Sequence, residues 1–308
     1  MSKRILITGG TGMVGSAFKN METDHELILV GSKDCDLMDY DRTFKMFAYY
    51  MPNAVIHLAA KVGGVKGNSD YVADYFHENI MMNTNVLDIS RRFRIGKVLS
   101  LLSACIYPEN PTYPLTEDQI HDGEPHKSAF GYAYSKRMLE VHSRAIRQQY
   151  GLKYITAIPN NIYGQNDNFS FETGHVVPAM IRKLHDAKLN GQKVKHWGTG
   201  APKREFTYSK DIARALLLLV EDYEGVEPIN IGSSFEISIF NLAGLISEII
   251  GYDGDELWDA SMPEGQYEKP SSNKKFMKLF PNFVYTPFAI GLRETIEWYV
   301  DNYPDVRL

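Results

Sequence analysis

Tyr132 and Lys136 stand four positions apart in Gly131-Tyr132-Ala133-Tyr134-Ser135-Lys136-Arg137-Met138, within a stretch patterned as a helix. Four residues is close to one helical turn, so phenol and ammonium share a face. A neighbouring cation favours the ionised phenol, which would bring proton exchange closer to neutrality than its ordinary value of about 10. Tyr-x-x-x-Lys is a common spacing. Its weight comes from Ser103, at the end of the strand-like run Lys97 to Leu102, and from a glycine-rich turn near the start of the chain. A hydroxyl that orients a carbonyl, a phenol that passes a proton and a cation that tunes it could interconvert an alcohol and a ketone.

Two further residues extend this chemistry. Cys105 follows Ser103 in Ser103-Ala104-Cys105-Ile106-Tyr107-Pro108. Read as extended chain, positions two apart point into the same pocket. His175 lies in Thr173-Gly174-His175-Val176-Val177-Pro178, just ahead of a helix-like segment. A helix N-terminus lowers an imidazole's pKa, which suits a base. A thiol and an imidazole beside a sugar ketone could remove and return protons on the adjacent carbons, because the carbanion left behind is delocalised as an enolate. Each also has a plainer reading: a buried inert cysteine and a loop histidine.

The elements that must position these groups alternate. Ile5-Leu6-Ile7, Glu26 to Val30, Ala54 to Ala59, Lys97 to Leu102 and Tyr154 to Ile158 read as strands, with Pro228 to Gly232 a sixth. Asp41 to Tyr50, Tyr71 to Phe93, Ala129 to Gln149 and Asp211 to Val220 read as helices. Uniformly apolar strands alternating with helices predict an α/β fold, a Rossmann-type doubly wound parallel sheet buried on both faces. A smaller C-terminal lobe for substrate would be woven from later segments. The expected division is 1–165, joined by 205–232, for the nucleotide lobe, and 166–204 with 233–308 for the substrate lobe.

The first strand runs into Gly9-x-x-Gly12-x-x-Gly15. Glycines at this spacing permit positive φ and close approach of backbone to a pyrophosphate, and a following helix N-terminus offers free N–H groups. Gly9, Gly10, Thr11, Gly12, Met13, Val14 and Gly15 are therefore candidate cofactor contacts. At the end of the second strand, Val30-Gly31-Ser32-Lys33 lacks the acidic residue that holds an NAD ribose. Ser32 and Lys33 suit a 2′-phosphate, and Asp36 would sit by the adenine. His57 is expected to be structural, while Leu58, Ala59 and Ala60 let the backbone pass near the ribose.

The chain has 308 residues, 44% hydrophobic and 23% charged, with a formal net charge of -5. That is enough for a large core and argues against a nucleic-acid footprint. The apolar run after Met1-Ser2-Lys3-Arg4 is too short for a signal peptide, and no run approaches a membrane span. Cys35 and Cys105 alone make a disulfide framework improbable, so a cytoplasmic location is expected. No metal is expected. The helices from Tyr71 and from Ala129 are candidates for a homodimer interface.

Glycine turn, Ser103, Tyr132 and Lys136 occur in the order found in short-chain dehydrogenase/reductase enzymes. Over nearly its whole length the chain resembles the GDP-L-fucose synthase family of the extended group. The resemblance rests on Ile7-Thr8-Gly9-Gly10-Thr11-Gly12-Met13-Val14-Gly15, His57-Leu58-Ala59-Ala60-Lys61-Val62-Gly63-Gly64, the Ser103, Tyr132 and His175 stretches quoted above, Asn161-Ile162-Tyr163-Gly164, and Trp197-Gly198-Thr199-Gly200 with Arg204-Glu205-Phe206. It implies NADP(H), a GDP-sugar substrate, Cys105 and His175 as epimerisation base and acid, and Tyr132 as proton donor to the C4 oxygen. It places Leu101, Leu102, Pro159, Asn160, Asn161, Ile162 and His175 against the cofactor, beside Tyr132 and Lys136. It places Ser103, Cys105, Asn161, Lys183, Trp197, Arg204 and Lys269 against the substrate. The chain departs from the family after Pro263-Glu264-Gly265, where Glu268 replaces a basic residue and Lys269 is the retained contact. Two alternatives share the fold: a reductase or epimerase of another nucleotide-linked 4-keto sugar, and a non-enzymatic NADP-binding regulator.

Overall fold

The computed structural model describes residues 2–262 and 267–308; the expected loop at Pro263 to Gln266 lies outside the described residues. In chain order, β1 (Arg4–Thr8), α1 (Met13–Ser16), β2 (Glu26–Val30), α2 (Tyr40–Tyr50), β3 (Ala54–His57), α3 (Val65–Asp70), α4 (Val72–Arg92), β4 (Lys97–Leu101), α5 (Phe130–Tyr150) and β5 (Lys153–Ile158) come first. They are followed by β6 (Asn161–Tyr163), α6 (Val176–Asn190), β7 (Val194–Trp197), β8 (Lys203–Tyr208), α7 (Ser209–Asp222), β9 (Ile229–Asn230), β10 (Glu236–Ser238), α8 (Ile239–Ile250), β11 (Glu256–Asp259), α9 (Lys274–Leu279) and α10 (Phe288–Asn302).

Six strands form one parallel sheet in the order β2-β1-β3-β4-β5-β9. Ile5, Leu6 and Ile7 of β1 and every residue of β3 and β4 are buried, as helices on both faces require. The chain's order along the sheet reverses between β1 and β3, and the crevice beyond the carboxyl ends there is where such folds bind ligands. One face packs Ile5, Ile7 and Leu99 against Ile212, Leu216 and Leu219 of α7. The other packs Leu6, Val55 and Val98 against Phe47, Val86 and Ile146 of α2, α4 and α5.

A separate core holds α6, α8 and α10 together around Ile181, Leu184, Leu242, Ile246 and Leu292. Beside it, β10, β8 and β6 form a three-stranded sheet and β11 pairs with β7. Three details differ from expectation. The third strand ends at His57; Leu58 N makes a last bond to Thr8 O of β1 at 3.1 Å, and the chain then leaves the sheet. Asn161 to Tyr163, inside the span expected for the nucleotide lobe, pairs with β8 in the smaller sheet. Phe276 and Phe283 return to the core beneath the large sheet, so the late chain crosses back to the nucleotide side.

Candidate active site

The glycine turn is built by close approach. Gly9 has φ +71°, and a Cβ there would lie 2.8 Å from Ala59 N. A Cβ on Gly15 would lie 2.2 Å from Gly9 O. Only glycine fits at either point, and the turn is tied by Gly12 N to Gly9 O at 3.0 Å and Gly10 N to Val30 O at 2.9 Å. Thr11 rests on Gly31, which brings the turn against the end of β2. There Ser32 and Lys33 are exposed. The Asp34 carboxylate accepts from Gly31 N at 2.8 Å, and that of Asp36 from Met38 N at 3.0 Å. Asp34 thus closes its own turn. His57, fully buried, hydrogen-bonds Thr8 Oγ1 at 2.7 Å and Asn83 Oδ1 at 3.0 Å; burial holds it down to about 4. It is structural, as expected.

Across the switch point, β4 ends at Leu101 with Leu102 following, and α5 brings Tyr132 and Lys136 beneath them. Lys136 is buried and donates from Nζ to Leu101 O at 2.8 Å; burial lowers its ammonium to about 8. The same nitrogen lies 5.8 Å from the Tyr132 ring centroid. The expected phenolate is not favoured. Burial pushes the Tyr132 phenol up, the nearby Cys105 adds to this, and the Ser103 hydroxyl, hydrogen-bonded to it, pulls it back. With Lys136 directed at a carbonyl, burial wins and Tyr132 is a neutral acid.

Ser103 is extended, and its Oγ accepts from Cys105 N at 3.4 Å. Residues Ala104–Ile106 then form a 3₁₀ turn. The expectation of an extended segment is therefore corrected: the turn, not strand alternation, brings Cys105 beside Ser103. The turn is clamped from behind by Arg137, whose Nε donates to Ile106 O at 2.7 Å and Nη1 to Gly123 O at 2.7 Å. From the opposite side Lys269 Nζ donates to Ala104 O at 3.0 Å. Burial outweighs the rest and holds the Cys105 thiol above its ordinary value; the Ser103 hydroxyl and then the charges of Lys269 and Lys136 offset part of this.

His175 caps α6 across the cleft. It is placed by Gly64 N bonding Thr173 O at 2.9 Å, and by Asn168 Nδ2 bonding Thr173 Oγ1 at 2.9 Å. Its ring is open to the cleft yet crowded by protein elsewhere, and that crowding, rather than the helix end, holds its imidazole below the ordinary value. Here a cleft of about 380 Å³ is lined by His175, Asn161, Ile162, Trp197, Phe206 and Gly64 among others. Trp197 is 65% exposed, a flat surface free for stacking. Lys183 lies on α6 with Nζ on Lys195 O at 2.8 Å, and burial lowers its ammonium. Arg204 donates to Lys203 O at 2.6 Å. A larger open depression of about 1530 Å³, between Asn20, His25 and Arg214, contains none of these groups.

Leu58, Ala59 and Ala60 line the approach to Gly9, while Pro159 and Ile158 end β5. Asn160 is not free for a ligand: its Nδ2 donates to Glu205 Oε2 at 3.2 Å and Ser233 O at 2.7 Å, and its Oδ1 accepts from Thr207 at 2.6 Å. Any cofactor contact there falls to backbone. The sequence did not expose the roles of Arg137, adjacent to Lys136, or of Tyr113, whose phenol senses both Arg204 and Glu268. Among the described residues no group of His, Cys, Asp and Glu is placed to hold a metal, and no helix is long and apolar enough to cross a membrane.

Residues 5–232 match the NAD dependent epimerase/dehydratase family. The chain is 41% identical to a GDP-L-fucose synthase of Dictyostelium discoideum, over 99% of this chain and 98% of that one. It is similar in structure to a GDP-L-fucose synthetase of Naegleria fowleri bound to NADP, with 39% identity, a TM-score of 0.93, and coverage of 99% and 94% of the two chains. A GDP-6-OMe-4-keto-L-xylo-heptose reductase of C. jejuni superposes with a TM-score of 0.89 at 26% identity, covering 98% of each chain.

Proposed function

The chain belongs to the NAD dependent epimerase/dehydratase family, in its GDP-L-fucose synthase branch, and from that premise we propose that its cleft converts GDP-4-keto-6-deoxy-D-mannose to GDP-L-fucose. The conversion is a 3,5-epimerisation followed by reduction of the 4-ketone, with NADPH. The observation that carries this is a thiol, Cys105, beside the Ser103–Tyr132–Lys136 group and Lys269, in a chain that also sets His175 on the wall of a cleft. An ordinary ketone reductase needs only the Ser-Tyr-Lys group.

The residues fit a dinucleotide phosphate. Gly9 to Gly15 offer backbone that a side chain would block, and the Asp34 carboxylate is engaged by Gly31 N while Ser32 and Lys33 stand exposed. NADPH, when bound, supplies hydride to C4. Ser103 orients the ketone through a hydrogen bond, and Tyr132, kept neutral by burial, donates the proton that C4 oxygen needs. Lys136 stabilises the phenolate left behind.

Epimerisation uses the other pair. Passage of the thiol proton to His175 leaves a thiolate to take a proton from C3 or C5 and an imidazolium to return one. The C–H electrons pass to the enolate of the C4 ketone. Trp197 offers a stacking face to the nucleotide, and Arg204 with Lys183 supplies charge for the diphosphate.

We assign the working form as a cytoplasmic homodimer. Two free cysteines suit a reducing compartment. Phe76 and Met81 of α4, with Phe130 and Met138 of α5, leave apolar surface for a second copy. Light scattering tests the dimer. Incubation with NADPH and GDP-4-keto-6-deoxymannose, with the product sugar identified, tests the function. GDP-L-fucose is expected. Turnover only of a heptose or dideoxy analogue would move the assignment to the C. jejuni type of substrate.

A further inference from the structure

Lys269 sits on a strand-like segment that the substrate lobe hands to the catalytic turn. Its path is fixed at several points. Leu115 N bonds Pro270 O at 2.9 Å, Lys203 N bonds Tyr267 O at 2.8 Å, and Ser271 is held by buried Glu205 through its amide and its hydroxyl. The ammonium is thereby delivered to Ala104 O, the carbonyl preceding Cys105. Lys269 and Cys105 are both partly exposed, yet protein crowds them on their remaining sides. A charge there is weakly screened and acts strongly on its neighbour.

We propose that Lys269 is a positioning residue for the proton-transfer half of the reaction: its ammonium, hung on the Ala104 carbonyl, favours the Cys105 thiolate over the thiol and so eases its formation against burial. This rests on the assignment of Cys105 as base made above. The groups facing the sulfur are Lys269, Lys136 and Arg137 as cations, the Ser103 hydroxyl, and the Tyr132 phenol. Arg204 and Cys105 act on Lys269 in opposite directions, but burial dominates and lowers its ammonium. Of the two lysines that favour the thiolate, Lys136 is committed to Leu101 and its neighbouring phenol. Of these two lysines, Lys269 is the one that bonds the turn carrying the thiol, which Arg137 also grips through Ile106 O. In the step itself, the C3–H or C5–H bond breaks and the S–H bond forms. The electron pair passes to the C4 enolate, so the sulfur loses its charge as the sugar gains one. The Lys269 charge serves the sulfur before the step and remains beside the enolate after it.

The test reads the thiol directly and needs no sugar. The rate of alkylation of Cys105 by iodoacetamide follows its thiolate fraction. It is measured against pH in the wild-type enzyme and in Lys269→Met, Lys269→Gln and Lys269→Arg, with peptide mapping to separate Cys105 from Cys35. Retained NADPH binding identifies the folded variants. The midpoint is expected to rise by about one pH unit or more in the Met and Gln variants and to stay near wild type in Lys269→Arg. Unmoved midpoints in the neutral variants would overturn the proposal, and a weakened GDP affinity beside them would leave Lys269 as a diphosphate contact only. A shifted midpoint in an enzyme that makes no fucose product would sustain the Lys269 role while removing the substrate assignment.

Discussion

Glu205 and Ser271 meet through three contacts: the Ser271 amide donates to both carboxylate oxygens, at 3.1 and 3.0 Å, and its hydroxyl to Oε2 at 2.5 Å. This junction ties the Lys269 segment to β8. Arg204, next in sequence, faces the other way, since alternate strand residues point to opposite sides. The two neighbours therefore do different work, one anchoring the segment and one lying on the face of β8 that Phe206 shares with the cleft wall.

Glu205→Ala is expected to release Ser271 and with it Lys269. Exchange of sugar protons with solvent should fall and the KM for the GDP-sugar rise, while NADPH affinity stays near wild type. Stability should drop by about 1–3 kcal/mol, as the Ser271 and Asn160 donors lose a buried acceptor. Denaturant melts and titration with NADPH check both halves. An unchanged exchange rate would mean that the segment holds its place without this junction.

Tyr132→Phe should lower NADPH oxidation by about 10²–10⁴-fold with cofactor binding intact. The phenol is kept neutral by burial and hydrogen-bonds the Ser103 hydroxyl. Single-turnover fluorescence of NADPH measures the loss; near-normal turnover would exclude Tyr132 as the acid.

Cys105→Ser should separate the two chemistries. A serine hydroxyl is a far weaker base than a stabilised thiolate. In heavy water the variant should fail to place deuterium at C3 and C5, yet still reduce a 4-ketone. Full exchange in the variant would reduce Cys105 to a packing residue.

Lys33→Glu should reverse the cofactor preference. The wild-type enzyme is expected to use NADPH well ahead of NADH, because Asp34 is tied to Gly31 and a cation stands exposed at the end of β2. Comparison of kcat/KM for both cofactors in both proteins is decisive. Equal use by the wild type would refute the assignment of Ser32 and Lys33.

His57 predicts an acid sensitivity. Its folded pKa is lowered to about 4 by burial, against about 6.5 unfolded. The unfolded chain therefore binds the extra proton first. The stabilisation is complete above about pH 6.5 and is lost as pH falls toward 4, by at most about 3 kcal/mol. His57→Gln should flatten that part of the stability profile. Urea midpoints between pH 4.5 and 7.5 follow it, and parallel profiles for the two proteins would rule it out.

The strands, helices and glycine turn were legible because their signals are local. An apolar run such as Ile5-Leu6-Ile7 before Gly9, or Tyr132 and Lys136 one turn apart, declares itself within a few residues. What was hidden depends on distant partners. Nothing around Asn160 reveals that Glu205, Thr207 and Ser233 consume its amide. Cys105 was matched to Ser103 for the wrong local reason, since a 3₁₀ turn and a strand both bring the pair together. The Tyr132 phenol misled because spacing shows the cation's neighbour but not its hydrogen-bond partner, Leu101. Lys269 was marked as a substrate contact; its place under the catalytic turn arises only when chain from the far lobe folds back.

The proposed groups also differ in where the chain carries them. Ser103, just past the end of β4, and Tyr132 and Lys136 of α5 are carried by elements that pack within one core. Cys105 shares that core, but its partners His175 and Lys269 come from separate loops of the other lobe. The two halves of the chemistry thus have unequal mutational freedom. Drift in the second lobe can strip away proton exchange and leave a working reductase on a sound fold. Loss of reduction by damage to β4 or α5 would unsettle the core that both halves share. Starting from this architecture, a lineage of plain reductases is within easy reach, and a lineage of plain epimerases is not.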